Sequence, residues 1–180
     1  YVTFVIQDGE KHTETVQKVF DSMRRLHLIP IVRLATHIEG NGWVKPKKED
    51  AEDWARFLNN LNWPIQNRYV ILFNEPNHAL EWGNSLSPEE YADILRILSS
   101  TLKEASDDFF ILPAALDVSA SDTPDTMDAL SYWSRMHTHD SDIFSYIDGW
   151  NSHSYPNPGF SGSPYAAGRG TIRSFLWEKE

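Results

Sequence analysis

Arg68-Tyr69-Val70-Ile71-Leu72-Phe73-Asn74-Glu75-Pro76-Asn77-His78-Ala79-Leu80-Glu81-Trp82 is the stretch on which the fold turns. Its first half is a short apolar run rich in β-branched and aromatic residues, which predicts a strand buried on both faces. Asn74 and Glu75 stand where the run ends, and Pro76 has no N–H to give to a ladder, so pairing stops there. A carboxylate is thereby displayed at the carboxyl end of a buried strand. In α/β folds that is the end where ligands bind and chemistry is done. A Glu at a strand end taken alone is more often a solvated loop residue or a helix cap than a catalyst, so the surrounding sequence has to decide.

Working outward, strand and helix alternate. Residues 1–7 read as a strand that Asp8-Gly9 breaks, and residues 12–27 as a helix with one apolar stripe through Val16, Val19, Phe20, Met23 and Leu26. Residues 29–34 form a second buried strand that tolerates Pro30 only at its start, followed by a polar loop over 35–48 that holds Gly40, Gly42 and Trp43. Residues 48–61 predict another amphipathic helix through Ala51, Trp54, Phe57, Leu58 and Leu61. Ser87-Pro88-Glu89-Glu90 is a helix start with a cap, a proline in the first turn and acids at the positive end of the dipole. Residues 109–115 predict the next strand, Asp122-Thr123-Pro124 the start of a further helix, and residues 147–155 the last strand. A long loop over 156–170 follows, of the kind that usually carries function, and residues 171–178 read as a helix.

Strand starts recur every 30 to 40 residues or so, the βα repeat of a parallel sheet, either closed as a barrel or open and doubly wound. No Gly-rich dinucleotide fingerprint follows the first strand, which weighs against the open sheet.

Composition narrows the partners. A net charge of -10 argues against nucleic acid, because phosphate binding needs clustered Lys and Arg. The 23 Trp, Tyr and Phe residues, 7, 7 and 9 respectively, suit both a core and the apolar faces of sugars. With no Cys, disulfides and thiolate metal sites are excluded. No apolar run approaches the roughly 18 residues of a membrane span, and the first residues lack the charged and apolar regions of a signal peptide. The sequence starts inside a strand-like run, Tyr1-Val2-Thr3-Phe4-Val5-Ile6, which reads as a fragment.

Asn74-Glu75-Pro76 after a buried strand resembles the motif of the retaining TIM-barrel glycoside hydrolases of clan A. A second stretch, Trp150-Asn151-Ser152-His153-Ser154-Tyr155-Pro156, resembles strand six of the same clan, where a His-x-Tyr pair lines the sugar site. The resemblance implies an α/β fold, a (β/α)8 TIM barrel that is incomplete, with about strands 2 to 6 present in a single partial catalytic domain over residues 1–180. It implies Glu75 as the acid/base, Asn74 on the sugar 2-hydroxyl, Tyr155 hydrogen-bonded to the nucleophilic carboxylate and His153 shaping the subsite. No cofactor is implied. The clan's nucleophile is a Glu at the end of strand seven, which lies past Glu180. Glu178 and Glu180 sit on helix-like sequence and are rejected as substitutes, so the 180-residue chain alone is expected to be inactive.

Other candidates carry balanced readings. The clan places an Arg near the nucleophile from an early strand, often the second, whereas Arg33 falls on the third, where a core-side ion pair is the equal alternative. Trp150, near His153 in sequence, is the favoured sugar platform, with Trp43 and Trp82 evenly split between platform and other roles, and His37 and Asn77 are lesser candidates. His137-Thr138-His139-Asp140, with Asp142, has the look of a ligand set, but a solvated turn is the better reading and no metal is expected. The expected partner is an oligo- or polysaccharide, with neither nucleic acid nor membrane. Open sheet edges predict self-association. The alternatives are a non-catalytic carbohydrate-binding or scaffold barrel, and a metal-dependent barrel hydrolase.

Overall fold

The computed structural model describes residues 1–157 and 159–180. In chain order it contains β1 (Val2–Gln7), α1 (Thr13–Arg25), β2 (Pro30–Ala35), a short hairpin of β3 (Ile38–Glu39) and β4 (Gly42–Trp43), α2 (Ala51–Asn59), β5 (Arg68–Leu72), α3 (Pro88–Ala105), β6 (Phe109–Pro113), α4 (Ala129–His139) and α5 (Ser174–Glu178). Four strands form one parallel sheet in the order β1-β2-β5-β6. Each of its three crossovers carries a helix, as parallel neighbours require. The protein is therefore α/β with a parallel sheet, and among the described residues that sheet is open.

The strand register sorts the side chains into two faces. Phe4, Val32, Val70 and Ile111 form one row across all four strands. Together with Leu34, Leu72 and Phe109 they pack against the helices, the last six of these seven being wholly inaccessible. Phe20 of α1 meets Phe4 edge-on and tilts onto Trp63, which in turn meets Phe109 edge-on. Removing a buried Leu or Phe from such a layer costs about 2–5 kcal/mol. The neighbouring row, Thr3, Ile31, Tyr69 and Phe110, points the other way and is exposed or half-buried. The expectation that residues 68–73 are buried on both faces holds in the second half of the strand: Val70 and Leu72 are inaccessible on the helix side, and Ile71, which points the other way between them, is 5% exposed, while Tyr69 is only half-buried.

Two expectations are corrected. Residues 147–155 do not form a strand. Asp148 N–H donates to the Ile111 carbonyl at 2.9 Å, but the Ile111 N–H is taken at 2.7 Å by the Asp148 carboxylate instead of by a backbone carbonyl. A side chain thus occupies the place of the next rung. Further on, Tyr155 N–H turns back to the His153 carbonyl at 2.9 Å, which ends any extended run. The helix expected from Asp122 begins instead at Ala129, where the Asp128 carboxylate caps it by accepting from the N–H groups of Leu130 and Ser131. Thr123 and Thr126 pair their hydroxyls at 2.8 Å and Thr123 N–H donates to the Thr126 carbonyl, so local bonds compete with helix over that stretch.

Smaller differences follow the same logic. α3 starts at Pro88 without a side-chain bond from Ser87, and its first-turn acids bond across to Arg135 and Lys45. The loop over 35–48 contains the β3–β4 hairpin. In the loop over 156–170, Pro158 lies outside the described residues, and the loop's base is joined by Asn157 N–H to the Gly170 carbonyl at 2.9 Å.

Candidate active site

The β5 ladder ends at Leu72, and the backbone then leaves extended geometry. Phe73 adopts φ 73° and Glu75 φ 28°, both on the left-handed side that L side chains avoid. Such residues cost about 1–3 kcal/mol each and persist where their surroundings over-determine them. Here the surroundings are the loop after β6. Glu75 N–H donates to the Ala115 carbonyl at 3.1 Å, and Ala79 N–H to the Asp125 carbonyl at 2.8 Å. Asn77, with no exposed surface, donates its amide to the carbonyls of Asp117 and Met127 and accepts from the Asp117 N–H. Asn77 therefore acts as a tie between two loops, and its polar atoms are used up inside the protein.

On this frame the Glu75 carboxylate meets His153, with Oε1 2.6 Å from Nδ1. The two side chains are 21% and 16% exposed, so a ligand can reach the pair while most of it is shielded. One proton lies between them: when Glu75 is ionised, His153 carries it on Nδ1, and the reverse arrangement makes Glu75 the donor. Tyr155 packs its ring 5.2 Å from that of His153 and 5.5 Å from Phe160, and is itself 46% exposed.

Arg33, from β2, donates through Nη1 to Asn74 Oδ1 at 2.6 Å, while its Nε is buried with no hydrogen-bond partner among the described residues. Arg33, Trp43, Phe73, Asn74 and Glu81 line a small cavity of about 70 Å³ beside the strand end. The hairpin and the 3-10 turn at Ala79–Glu81 border it: Gly83 N–H donates to the Trp43 carbonyl, and a Cβ on Gly42 would come within 2.9 Å of the Leu80 carbonyl oxygen.

Three titratable residues here were not singled out from sequence. Burial pushes the Glu81 carboxyl above its usual value, repulsion from Glu75 adds to this, and Asn74 and Arg33 oppose it. His78 Nε2 lies 3.1 Å from Asp117 Oδ2. That hydrogen bond raises His78 and, with the Ser119 contacts, holds Asp117 far below the carboxylate range despite partial burial. His78 and Glu81 lie on the stretch that decides the fold, but in its irregular half, where no periodicity assigns a side chain to a face.

The remaining candidates are placed elsewhere or used structurally. Trp150 is 42% exposed, donates Nε1–H to Glu178 at 2.8 Å and packs against Trp133 and Phe144, which sets it among α4, α5 and the turn before residue 147. Glu178 also accepts from Ser152. Trp82 is core, edge-on to Phe73 and Tyr91. His37 pairs with Asp8 at 2.9 Å. His139 pairs with Asp93 and His137 stacks on Phe144. Among the described residues no group of three or more His, Cys, Asp or Glu is arranged to hold a metal ion.

No protein-family model matches the chain, and no curated protein matches it. Solved structures do. A monomeric beta-xylosidase from Caulobacter crescentus CB15 aligns over 80% of this chain with a TM-score of 0.59 at 12% identity. A family 51 alpha-L-arabinofuranosidase from Bifidobacterium longum aligns over 79% with a TM-score of 0.55 at 14% identity. The GH39 enzyme from Xanthomonas axonopodis pv. citri aligns over 81% with a TM-score of 0.52 at 13% identity. At such identities the likeness is one of fold: this chain has a glycosidase-like α/β fold. It spans 30%, 28% and 30% of those three chains respectively, less than a third of each.

Proposed function

We propose that this chain carries the acid/base half of a retaining glycoside hydrolase built on a (β/α)8 barrel, acting on an oligo- or polysaccharide. Glu75 is the proton donor. In the first step its carboxyl proton passes to the glycosidic oxygen as that oxygen's bond to the anomeric carbon breaks, and a second carboxylate forms the new bond to that carbon. In the second step the Glu75 carboxylate takes a proton from water, whose oxygen displaces the carboxylate and releases the sugar. The attacking carboxylate belongs to a part of the barrel outside this sequence and must stand about 5–5.5 Å from Glu75.

The single observation that carries this reading is the 2.6 Å contact between Glu75 and His153. It joins the two stretches that resemble the same clan, at the carboxyl end of a buried parallel strand. His153 orients the acid, Arg33 orients Asn74, Asn74 meets a hydroxyl next to the reacting carbon, and Tyr155 offers its exposed hydroxyl to the second carboxylate. Trp150, packed against Trp133 and Phe144, serves a more distant sugar ring. The 180-residue chain alone does not complete the double displacement, and its open sheet edges lead it to self-associate.

The test uses a polypeptide extended through the strand that bears the second carboxylate. Glycan hydrolysis lost in Glu75→Ala, with oligosaccharide binding retained, is the expected result. An extended wild-type chain that binds oligosaccharides, hydrolyses none, and binds them equally well as Glu75→Ala would establish a non-catalytic carbohydrate-binding barrel instead.

A further inference from the structure

Arg33 fixes more than the position of Asn74. A guanidinium can only donate, so the atom of the Asn74 amide that faces Nη1 at 2.6 Å is its oxygen. The Nδ2 group is thereby turned away from Arg33. Glu81 lines the same cavity as Asn74. An ionised carboxylate only accepts, so with the amide oxygen held by Arg33 the cavity is lined by a donor, the Asn74 Nδ2 group, and an acceptor, Glu81. Both groups are turned to a ligand in one cavity of about 70 Å³.

We propose that Glu81 is a specificity-determining residue which, with Asn74, recognises a single sugar hydroxyl: the hydroxyl oxygen accepts from Asn74 and its proton is donated to Glu81. This deepens the reading of the site as saccharide-binding and rests on it. A hydroxyl is the group that both donates and accepts at one atom. A site built for one rejects the deoxy analogue strongly, because buried polar groups are then left unpaired. Burial, which holds the Glu81 carboxyl above its usual value, makes that rejection pH-dependent.

The test reads the side-chain amide of Asn74 by 1H–15N NMR in the 180-residue chain. The charged groups facing Glu81 are Glu75, Arg33 and His78, and the His78 ring resonances are followed separately. In the wild type the Asn74 amide signals titrate with the same midpoint as the Glu81 carboxyl carbon. In Glu81→Gln that titration disappears while the backbone spectrum is retained. In Glu75→Gln it persists with a lower midpoint, because a repelling carboxylate is gone. Methyl β-D-xylopyranoside shifts the Asn74 amide signals, and one of its monodeoxy derivatives fails to. Asn74 signals that ignore pH, that titrate unchanged in Glu81→Gln, or that respond to no glycoside or to every deoxy derivative alike overturn the proposal. Should Glu81→Gln not fold, the wild-type midpoints decide alone, and unequal midpoints overturn it. None of these signals depends on proton transfer by Glu75, so failure of the catalytic reading and failure of this one are told apart.

Discussion

His153 Nδ1 stands 2.6 Å from Glu75 Oε1 although 78 positions separate the two in the chain. The contact crosses from the end of β5 to the segment after α4 and gives the carboxyl group a fixed direction. In an extended, catalytically complete polypeptide, His153→Ala is expected to lower kcat/KM about 10–100-fold through loss of that direction. Steady-state kinetics with a glycoside substrate measures this, and an unchanged value would show that His153 does not orient Glu75.

Asn77 tests whether the strained turn is held from outside. Asn77→Ala leaves the Asp117 N–H and the Asp117 and Met127 carbonyls without their side-chain partner in a buried place. The expected loss is about 2–3 kcal/mol of stability, seen as a lower urea midpoint with an unchanged slope. A loss below about 0.5 kcal/mol, the level of an ordinary surface substitution, would remove Asn77 from this role.

Much of the fold was legible because it rests on period. Residues 109–113 and 30–35 alternate or run apolar and form strands, the stripes of α2 and α3 are buried where the spacing puts them, and that of α1 is buried at Val16, Phe20 and Met23 but exposed at Val19 and Leu26. What escaped was decided by single side chains making local bonds. Asp148 takes an N–H that a carbonyl would otherwise receive, so residues 147–155 stay outside the sheet. Thr123 and Thr126 bond each other and delay the helix to the Asp128 cap. At the site, the place of Glu75 just past a strand was legible, and the 2.6 Å contact with His153 brings together the two stretches that resemble one clan. Glu81 and His78 could not be placed, since positive φ at Phe73 and Glu75 redirects the chain between them and the strand.

The His78–Asp117 pair gives stability a dependence on pH. His78 is raised from its ordinary 6.5, so its contribution is full below that value and is lost as pH rises through the raised one. Asp117 is lowered from its ordinary 3.8, so its contribution is full above that value and is lost as pH falls through the lowered one. The pair is therefore strongest between those two ordinary values. His78→Gln is expected to cost stability at about pH 5 and much less at about pH 9, as urea unfolding at the two values measures. An equal cost at both would show that no proton is involved.

The outer edge of β1 pairs with no strand among the described residues, and Tyr1 and Val5 beside it are exposed. Light scattering on the 180-residue chain is expected to show mass rising with concentration, and Val5→Lys to reduce that rise, because a charge on an edge strand opposes pairing. A single monomer mass at every concentration would contradict it.

The most direct test of Glu75 as proton donor compares two leaving groups in the extended polypeptide. Protonation matters for a poor leaving group and little for an activated one. Glu75→Ala is therefore expected to slow glycosylation from an unactivated disaccharide by about 10²–10⁴-fold while leaving that from a dinitrophenyl glycoside within about tenfold of wild type. An equal loss on both substrates, or no loss on either, would contradict the assignment.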